Sequence, residues 1–186
     1  MAELEQARAT LVDLYRYDGK AELIGGRIVP LMATGRKPHR IGRRITRSLE
    51  DYAERAGVGE AYGDNMGFTV PMLPSGRESF SPDAAYYDGP FPDDDMRFIE
   101  GAPSLAVEVR SENDYGQSAE LEMAEKRADY FLAGTRVVWD VDSVNELVFV
   151  YRYTDPAQAI TYRHGETANA EPAVPGWTIA VDDLFA

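Results

Sequence analysis

Two carboxylates far apart in the sequence have the residue types that metal-assisted hydrolysis needs. Glu108 interrupts the apolar segment 104–110, and a carboxylate in such a segment is seldom fully buried without a partner. Asp83 follows Pro82 at the start of another segment that is predicted to be a strand. If the two strands are neighbours, the two side chains can converge and supply the oxygen ligands that Mg²⁺ prefers. The pattern therefore predicts a metal site held by Asp83 and Glu108.

Lys126 is the candidate cation beside these carboxylates, and it lies in a predicted helix over residues 119–133. The main apolar stripe of this helix consists of Leu121, Ala124, Ala128, Phe131 and Leu132. That stripe leaves Lys126 on the opposite side, where it would be solvated. Met123, Lys126 and Tyr130 form a second stripe at helical spacing, which would place the lysine over the sheet. The sequence leaves both placements open.

Glu108 also has explanations that need no metal. Strand alternation puts Glu108 and Arg110 on one face, so the two could form a structural ion pair. A glycosidase would likewise need two carboxylates across a cleft, with Asp83 and Glu108 as its acid and base. That reaction explains neither the lysine nor the mixed order of elements, and it ranks last.

The elements that must position these residues alternate between helices and strands. Besides the helix at 119–133, helical periodicity predicts helices over 3–16 and 38–56. Gly25-Gly26 between two apolar runs predicts a hairpin over 21–31. Further strands are predicted over 67–72, 81–87, 104–110, 136–141 and 146–153, with a short hairpin at 159–163 and a last strand at 175–179. This order predicts an α/β (α+β) fold, with a mixed central sheet flanked by helices in a single domain spanning 1–186.

The composition narrows the kinds of site that the chain can hold. Its 186 residues are 44% hydrophobic and 27% charged, as in globular proteins. The absence of cysteine excludes disulfides and thiolate zinc sites, and two histidines are too few for a histidine-rich metal site. No segment approaches the roughly 20 apolar residues of a membrane span, so we expect no membrane partner and a cytoplasmic location.

The charge balance is the main objection to a nucleic-acid partner. Nineteen basic and thirty-two acidic side chains give a formal net charge of −13, which repels polyanions. The predicted helix over 38–56 nevertheless carries a basic face, made of Arg40, Arg43, Arg44 and Arg47 and preceded by Arg36 and Lys37. This face could follow a phosphate backbone, or it could be a solvated surface that balances nearby acids. His39 beside it could contact the site or cap the turn.

Taken in order, the motifs resemble those of the Uma-two family, a branch of the restriction-endonuclease-like PD-(D/E)xK superfamily. The motifs that carry the resemblance are Glu22-Leu23-Ile24 with Gly26, the helix after His39, Pro82-Asp83, Val107-Glu108-Val109 with Ser111, Lys126 with Tyr130 and Gly134, and Val138-Trp139-Asp140-Val141-Asp142. Together they run from about Ala21 to Arg152. The ordered set is specific, although each motif alone is weak.

The resemblance implies a nuclease fold in which Asp83 and Glu108 hold Mg²⁺ or Mn²⁺. It places Lys126 beside the attacking water and makes Glu22 an outer carboxylate. One departure concerns Arg110, which stands where the superfamily usually has its lysine, two residues after the glutamate. Arginine cannot act as a base, because its pKa lies above 12, but it can hold a phosphate through two hydrogen bonds.

The function expected from the sequence is therefore a Mg²⁺-dependent endonuclease that hydrolyses phosphodiester bonds in DNA. Arg110, His39 and Arg40 are the candidate substrate contacts. The alternative is a non-catalytic module that keeps the nuclease fold and binds nucleic acid or a protein, and the acidic net charge favours it. A homodimer is also plausible, because exposed sheet edges pair and duplex cleavage benefits from two sites.

Overall fold

The computed structural model describes residues 8–186, in which helices flank a central sheet. The helices of this part are α1 (Leu11–Arg16), α2 (Arg36–Ala56), α3 (Gln117–Ala133) and α4 (Val181–Phe185). The strands are β1 (Ala21–Ile24), β2 (Arg27–Pro30), β3 (Glu60–Gly63), β4 (Phe68–Thr69), β5 (Ser79–Phe80), β6 (Ala84–Tyr87), β7 (Ile99–Glu100), β8 (Leu105–Val109), β9 (Val137–Asp142), β10 (Leu147–Arg152), β11 (Asp155–Tyr162), β12 (Thr167–Asn169) and β13 (Thr178–Ala180). None of the helices in the described range is long and apolar enough to cross a membrane.

The central sheet has six strands in the order β11-β10-β9-β8-β6-β3. β8 and β9 run parallel, whereas the other neighbours are antiparallel. The chain from β8 to β9 passes through α3, as the crossover between parallel strands requires. This crossover brings α3 against the sheet beside β8, the strand that carries Glu108. The predicted mixed sheet flanked by helices is thus confirmed.

Each face of the central sheet has its own core. On one face Ile41, Ile45 and Leu49 of α2 are fully buried against alternate residues of β8 and β9, such as Val107 and Trp139. On the other face Tyr130 of α3 is buried with Phe80, Ala106 and Val138. Because strand residues alternate between faces, Glu108 shares the α3 face with Ala106.

Contacts with a smaller sheet hold the N-terminal hairpin near the start of β6. β1 and β2 form the predicted hairpin, and β4 lies between β5 and β7 in a separate three-stranded sheet. The Leu23 backbone N–H donates to the Ser79 hydroxyl at 2.7 Å, and the Gly25 N–H donates to the Gly76 carbonyl at 2.7 Å. These bonds fasten β1 beside β5, so that Glu22 of β1 lies close to the start of β6.

Most predicted elements are present, with shifted ends. The predicted helix over 3–16 begins at Leu11, where the Asp13 carboxylate accepts a hydrogen bond from the Thr10 backbone at 2.7 Å. The part of that prediction over residues 3–7 lies outside the described residues. The strand predicted over 67–72 is limited to two residues, and that predicted over 81–87 begins three residues later, at Ala84.

At the edges of the sheet, one prediction was wrong and one strand was missed. The segment predicted as a hairpin over 159–163 lies instead in one strand, β11, which pairs antiparallel with β10. Strand β3, at the opposite edge, was not predicted. Its sequence Glu-Ala-Tyr-Gly has no alternating apolar pattern, because its residues are exposed or only partly buried beside α2.

Helix α3 turns its polar side towards the sheet. Leu121 and Leu132 of the main apolar stripe are 61% and 64% exposed, whereas Tyr130 of the second stripe is fully buried. Buried partners for Lys126 and Asp129 explain this orientation, because each charged side chain meets an opposite charge there. Lys126 therefore faces the sheet.

Candidate active site

The centre of the site is a buried contact between β8 and α3. Lys126 Nζ lies 2.9 Å from Glu108 Oε1 and 3.1 Å from Glu22 Oε1. The Tyr130 hydroxyl, one helical turn from Lys126, donates to the same Glu108 oxygen at 2.7 Å. Three elements therefore deliver one ammonium group and two carboxylates to one point.

Glu22 is held by a second set of contacts. Its Oε1 accepts a hydrogen bond from the Ser81 backbone N–H at 3.0 Å, and its Oε2 contacts the Arg77 guanidinium. Arg77 Nε also donates to Asp129 Oδ2 of α3 at 2.9 Å. Arg77 thus connects β1 to α3 beneath the site, and it fixes Glu22 on the side away from Lys126.

Asp83 lies next to this group, immediately before β6. Its backbone N–H donates to the Val107 carbonyl at 3.0 Å, and its Oδ2 accepts from the Val109 N–H at 2.7 Å. These two bonds flank Glu108 on β8, so the pairing of β6 with β8 fixes the two carboxylates near each other. Close packing by α2 at Gly42 supports Asp83 from behind, where a Cβ would lie 3.6 Å from the Asp83 carbonyl oxygen.

A second lysine approaches Asp83 from the N-terminal hairpin. Lys20 Nζ lies 3.5 Å from Asp83 Oδ1, and it also contacts the Asp64 carboxylate. Lys20 and Lys126 therefore contact different carboxylates of the site. Their side chains are only 18% and 15% exposed, so water screens these charges weakly.

The carboxylates outnumber the ammonium groups that they contact, and the pKa values reflect this. Burial raises the pKa of Glu108, and the neighbouring charges of Asp83 and Glu22 raise it further against the pull of Lys126. Burial also opposes the charge of Glu22, but Lys126 and Arg77 outweigh it and lower the pKa of Glu22 to about 2. Burial opposes the charge of Lys126 too, yet Glu108 and Glu22 raise its pKa above the usual value.

The donor atoms of the site suit a hard divalent cation. Glu108 Oε1 accepts from Lys126 and Tyr130, which leaves Glu108 Oε2 less engaged. Asp83 Oδ2 accepts from Val109, whereas Asp83 Oδ1 has the longer contact of 3.5 Å with Lys20. The described residues contain no cluster of three or more histidine, cysteine, aspartate or glutamate side chains with metal-ligand geometry. Mg²⁺ fits such a site, because it typically takes one or two carboxylates and completes its shell with water and phosphate oxygens.

Comparison with known proteins identifies the family to which this architecture belongs. The family model Uma2, described as "Putative restriction endonuclease", matches residues 9–182. The chain belongs to the Uma2 family. A crystal structure from Anabaena variabilis ATCC 29413, described as a "putative nuclease belonging to DUF820", superimposes with a TM-score of 0.73 at 19% identity and covers 95% of this chain and 97% of its own. That likeness shows the shared fold. No curated protein matches the chain.

Arg110 of this Uma2 chain points into a different cluster. Its guanidinium donates twice to the fully buried Asp140, from Nε and NH2 at 2.7 Å each, and it also contacts Glu120 of α3. Arg110 therefore does not join the Asp83, Glu108 and Lys126 group, although it shares a strand face with Glu108. Glu108 and Arg110 each find a different partner, so the ion pair between them that the sequence allowed does not form.

The two other candidate substrate contacts differ in accessibility. His39 is exposed and lines a groove between α2 and β3 that reaches Asp83. Arg40 is half-buried, and its Nε is buried without a hydrogen-bond partner among the described residues. Of the three, only His39 lines the groove that reaches Asp83.

Lys20, Arg77 and Asp64 are site neighbours that the sequence interpretation of this Uma2 chain missed. Lys20 stands two residues before Glu22, so strand alternation could have indicated that the two share a face. Asp64 and Arg77 lie at the ends of loops beside β3 and β5. No periodic pattern marks them, because their positions depend on how the small sheets pack.

Proposed function

We propose that this protein is a Mg²⁺-dependent endonuclease that hydrolyses phosphodiester bonds in DNA. Asp83 and Glu108 are the proposed metal ligands, and Lys126 and Glu22 complete the catalytic group. The observation that carries the proposal is the position of Lys126, whose ammonium nitrogen lies 2.9 Å from Glu108. Asp83 lies next to Glu108, immediately before the adjoining strand β6. A hydrolytic metal site needs this combination of clustered carboxylates and a nearby cation.

The proposed metal ligands are preorganised by hydrogen bonds from their own neighbours. Asp83 is oriented by the Val109 backbone, and Glu108 by the Tyr130 hydroxyl. A divalent cation bound there would neutralise phosphate charge and activate a water molecule for in-line attack. Mn²⁺ would suit the same oxygen ligands.

The lysine and the outer glutamate have supporting roles in this proposal. Lys126 remains an ammonium group at neutral pH, because its pKa is raised by Glu108 and Glu22. It can therefore donate hydrogen bonds to a phosphate oxygen or to the attacking water, but it cannot accept a proton. Glu22, anchored by Arg77, keeps the Lys126 side chain directed into the site.

Family membership supports a nucleic-acid substrate for this chain. The family description names restriction endonucleases, and the structural neighbour is described as a nuclease. Because the net charge of −13 repels polyanions, phosphate groups can bind only where basic residues are concentrated locally. Exposed basic residues of α2 form such a surface near Asp83.

The alternative is a non-catalytic module that keeps the fold and binds nucleic acid or a protein. The contact of Lys20 with Asp83 favours it, because an ammonium group there occupies part of the space that a cation would need. Metal binding separates the two hypotheses, since only the enzyme requires it.

The decisive experiment combines calorimetric titration with Mg²⁺ or Mn²⁺ and cleavage of a labelled DNA substrate. We expect metal-dependent cleavage by the wild type, and loss of both metal binding and cleavage in Asp83→Asn and Glu108→Gln. Glu112→Gln is the matched control, because Glu112 is exposed in the loop after β8. Absence of binding heat and of cleavage in the wild type would leave only the binding module.

Replacement of Lys126 tests its role separately. Lys126→Met should retain metal binding while turnover falls by about 100-fold or more, as expected when a positioned proton donor is removed. Circular dichroism is needed alongside, because the substitution also removes a buried charge. Unchanged turnover in a folded Lys126→Met protein would remove Lys126 from the mechanism.

A further inference from the structure

A groove between α2 and β3 lies next to the site and has a volume of about 1020 Å³. It starts at Asp83 and follows one face of α2 past His39, Arg43 and Arg47. Its other wall is β3, the edge strand of the central sheet. A ligand lying in this groove would therefore reach Asp83 from the side of α2.

The basic residues of α2 fall into two groups. Lys37 forms an ion pair with Glu146 at 2.7 Å, and Arg44 donates to the C-terminal backbone at Leu184 and Ala186. Arg43 and Arg47 are exposed, face the groove, and have no ion-pair or hydrogen-bond partner within residues 8–186. Arg36 and Arg55 are also exposed but lie outside the groove lining, so Arg43 and Arg47 are the exposed arginines of α2 that line the groove.

The charge of the side chains that line the groove changes sign along its length. Beyond Arg47 its lining is acidic, with Glu50, Asp51 and Glu54 of α2 facing Glu60 of β3. No ion pair neutralises these four carboxylates within the described part of the chain, although Glu60 accepts a hydrogen bond from the Tyr62 hydroxyl. The groove is therefore cationic next to Asp83 and anionic at its far end.

This polarity restricts how a polyanion can lie. Arg43 and Glu54 are separated by about 16 Å along the helix axis, at 1.5 Å per residue. A DNA duplex along that path would present about ten phosphates, at one charge per 1.7 Å, to two arginines followed by carboxylates. A single strand carries half that charge density and is flexible enough to leave the groove after Arg47.

From this charge pattern we infer that the groove takes a short single-stranded segment of nucleic acid, gripped by Arg43 and Arg47, and that the acidic end excludes a continuous duplex. The inference rests on the proposed function, and it specifies the form of the substrate: a strand end, a flap or an unpaired region. His39, one turn before Arg43, lines the same groove, and Gly42 beside Arg43 packs against Asp83. A strand held by the two arginines would therefore lie next to Asp83.

Binding without cleavage tests this inference independently of catalysis. Fluorescence anisotropy in EDTA compares a labelled single-stranded 12-mer with the duplex of the same sequence, and an RNA 12-mer shows whether the sugar matters. Two phosphate contacts predict a slope of about −1.4 for the logarithm of affinity against the logarithm of salt, or about sevenfold weaker binding at 200 mM than at 50 mM salt. The single strands should bind more tightly than the duplex.

Substitutions locate the binding within the groove. Arg43→Ala with Arg47→Ala should nearly abolish the salt dependence, whereas Arg55→Ala should not change it, because Arg55 is exposed at the end of α2 outside the groove. Glu50→Lys with Glu54→Lys should raise duplex affinity and steepen its salt slope to about −3.6, the value for four phosphate contacts to duplex DNA. All these side chains are exposed, so folding should be preserved.

Three outcomes would overturn the inference. One is tighter wild-type binding of the duplex than of the single strand, and another is unchanged binding after both arginines are removed. The third is preference for a labelled lysine-rich peptide over the strand, which would assign the groove to a cationic segment. Failure of metal-dependent cleavage with intact arginine-dependent strand binding would contradict the proposed enzyme and leave the groove assignment standing.

Discussion

Glu22 and Glu108 share the ammonium group of Lys126, whose Nζ lies 3.1 Å from one carboxylate and 2.9 Å from the other. The other contacts of the two carboxylates differ. Glu22 also receives the Arg77 guanidinium and the Ser81 N–H, whereas Glu108 receives the Tyr130 hydroxyl and lies beside Asp83. The fold therefore stabilises the charge of Glu22 and disfavours that of Glu108.

This asymmetry predicts opposite effects of two matched substitutions in the metal-free protein at pH 7. Glu22→Gln should lower the free energy of unfolding by about 3–5 kcal/mol, because it breaks a buried ion-pair network. Glu108→Gln should change it by about 1 kcal/mol or less, because the raised pKa of Glu108 shows that the fold already disfavours its charged form. Urea denaturation in EDTA measures both, and equal losses would contradict the asymmetry.

The arginine two residues after Glu108 should act mainly on stability. Arg110→Met leaves Asp140 fully buried and paired only with Arg127 at 3.3 Å, so we expect a loss of about 3–5 kcal/mol. Arg110→Lys should recover only part of this loss, because lysine cannot form the two parallel hydrogen bonds to Asp140. If Arg110→Lys were as stable as the wild type but bound DNA more weakly, Arg110 would be a substrate contact instead.

The sequence predicts the fold through its long elements. Periodicity in α2 and α3 and the apolar runs of β8, β9 and β10 are strong signals, because each element buries residues against a continuous core. The strands β4, β5 and β7 have two residues each and depend on partners from separate segments. The strand predicted over 67–72 contains β4, but β5 and β7 were not predicted, because two residues are too few to show a periodic pattern.

In the candidate site, the sequence likewise indicates some of the residues but not those whose contacts depend on tertiary packing. Asp83, Glu108 and Lys126 attract attention because charged residues interrupt predicted strands or accompany a second helical stripe. Lys20 and Arg77 do not, because their contacts depend on the packing of the hairpin against β5 and α3. The orientation of α3 likewise depends on buried ion pairs. Its main apolar stripe, taken alone, would have placed Lys126 on the solvated side.

Two glycines should respond oppositely to alanine. Gly42 lies inside α2, and an added Cβ would be 3.6 Å from the Asp83 carbonyl oxygen, which is ordinary contact. Gly42→Ala should therefore stabilise the protein by about 0.5–1 kcal/mol through helix propensity. Gly59 has a φ of +70° and its Cβ would lie 2.4 Å from the Tyr86 hydroxyl, so Gly59→Ala should cost about 1–3 kcal/mol.

Thermal unfolding of the two glycine variants measures the difference. A calorimetric metal titration of Gly42→Ala adds a second readout, since it shows whether the approach of α2 to Asp83 is preserved. Destabilisation by Gly42→Ala would mean that α2 and β6 are packed too tightly there to accept a methyl group.

His164 should titrate above its ordinary pKa of about 6.5. Its Nδ1 lies 2.5 Å from Asp182 Oδ1 of α4, and its Nε2 lies 2.6 Å from Glu146 Oε2 in the turn between β9 and β10. Hydrogen bonds that the imidazolium donates to Asp182 and then to Glu146 raise the pKa of His164. A raised pKa of a cation means that its stabilisation is complete below about pH 6.5 and is lost as the pH rises through the folded value.

NMR titration of the His164 imidazole measures this pKa directly. Asp182→Asn should lower it, and Asp182→Asn with Glu146→Gln should lower it further, because each substitution removes one acceptor. The C-terminal helix should also lose amide protection as the pH rises, since protonated His164 connects α4 to the β9–β10 turn. A pKa at or below 6.5 in the wild type would mean that neither carboxylate holds the imidazolium in solution.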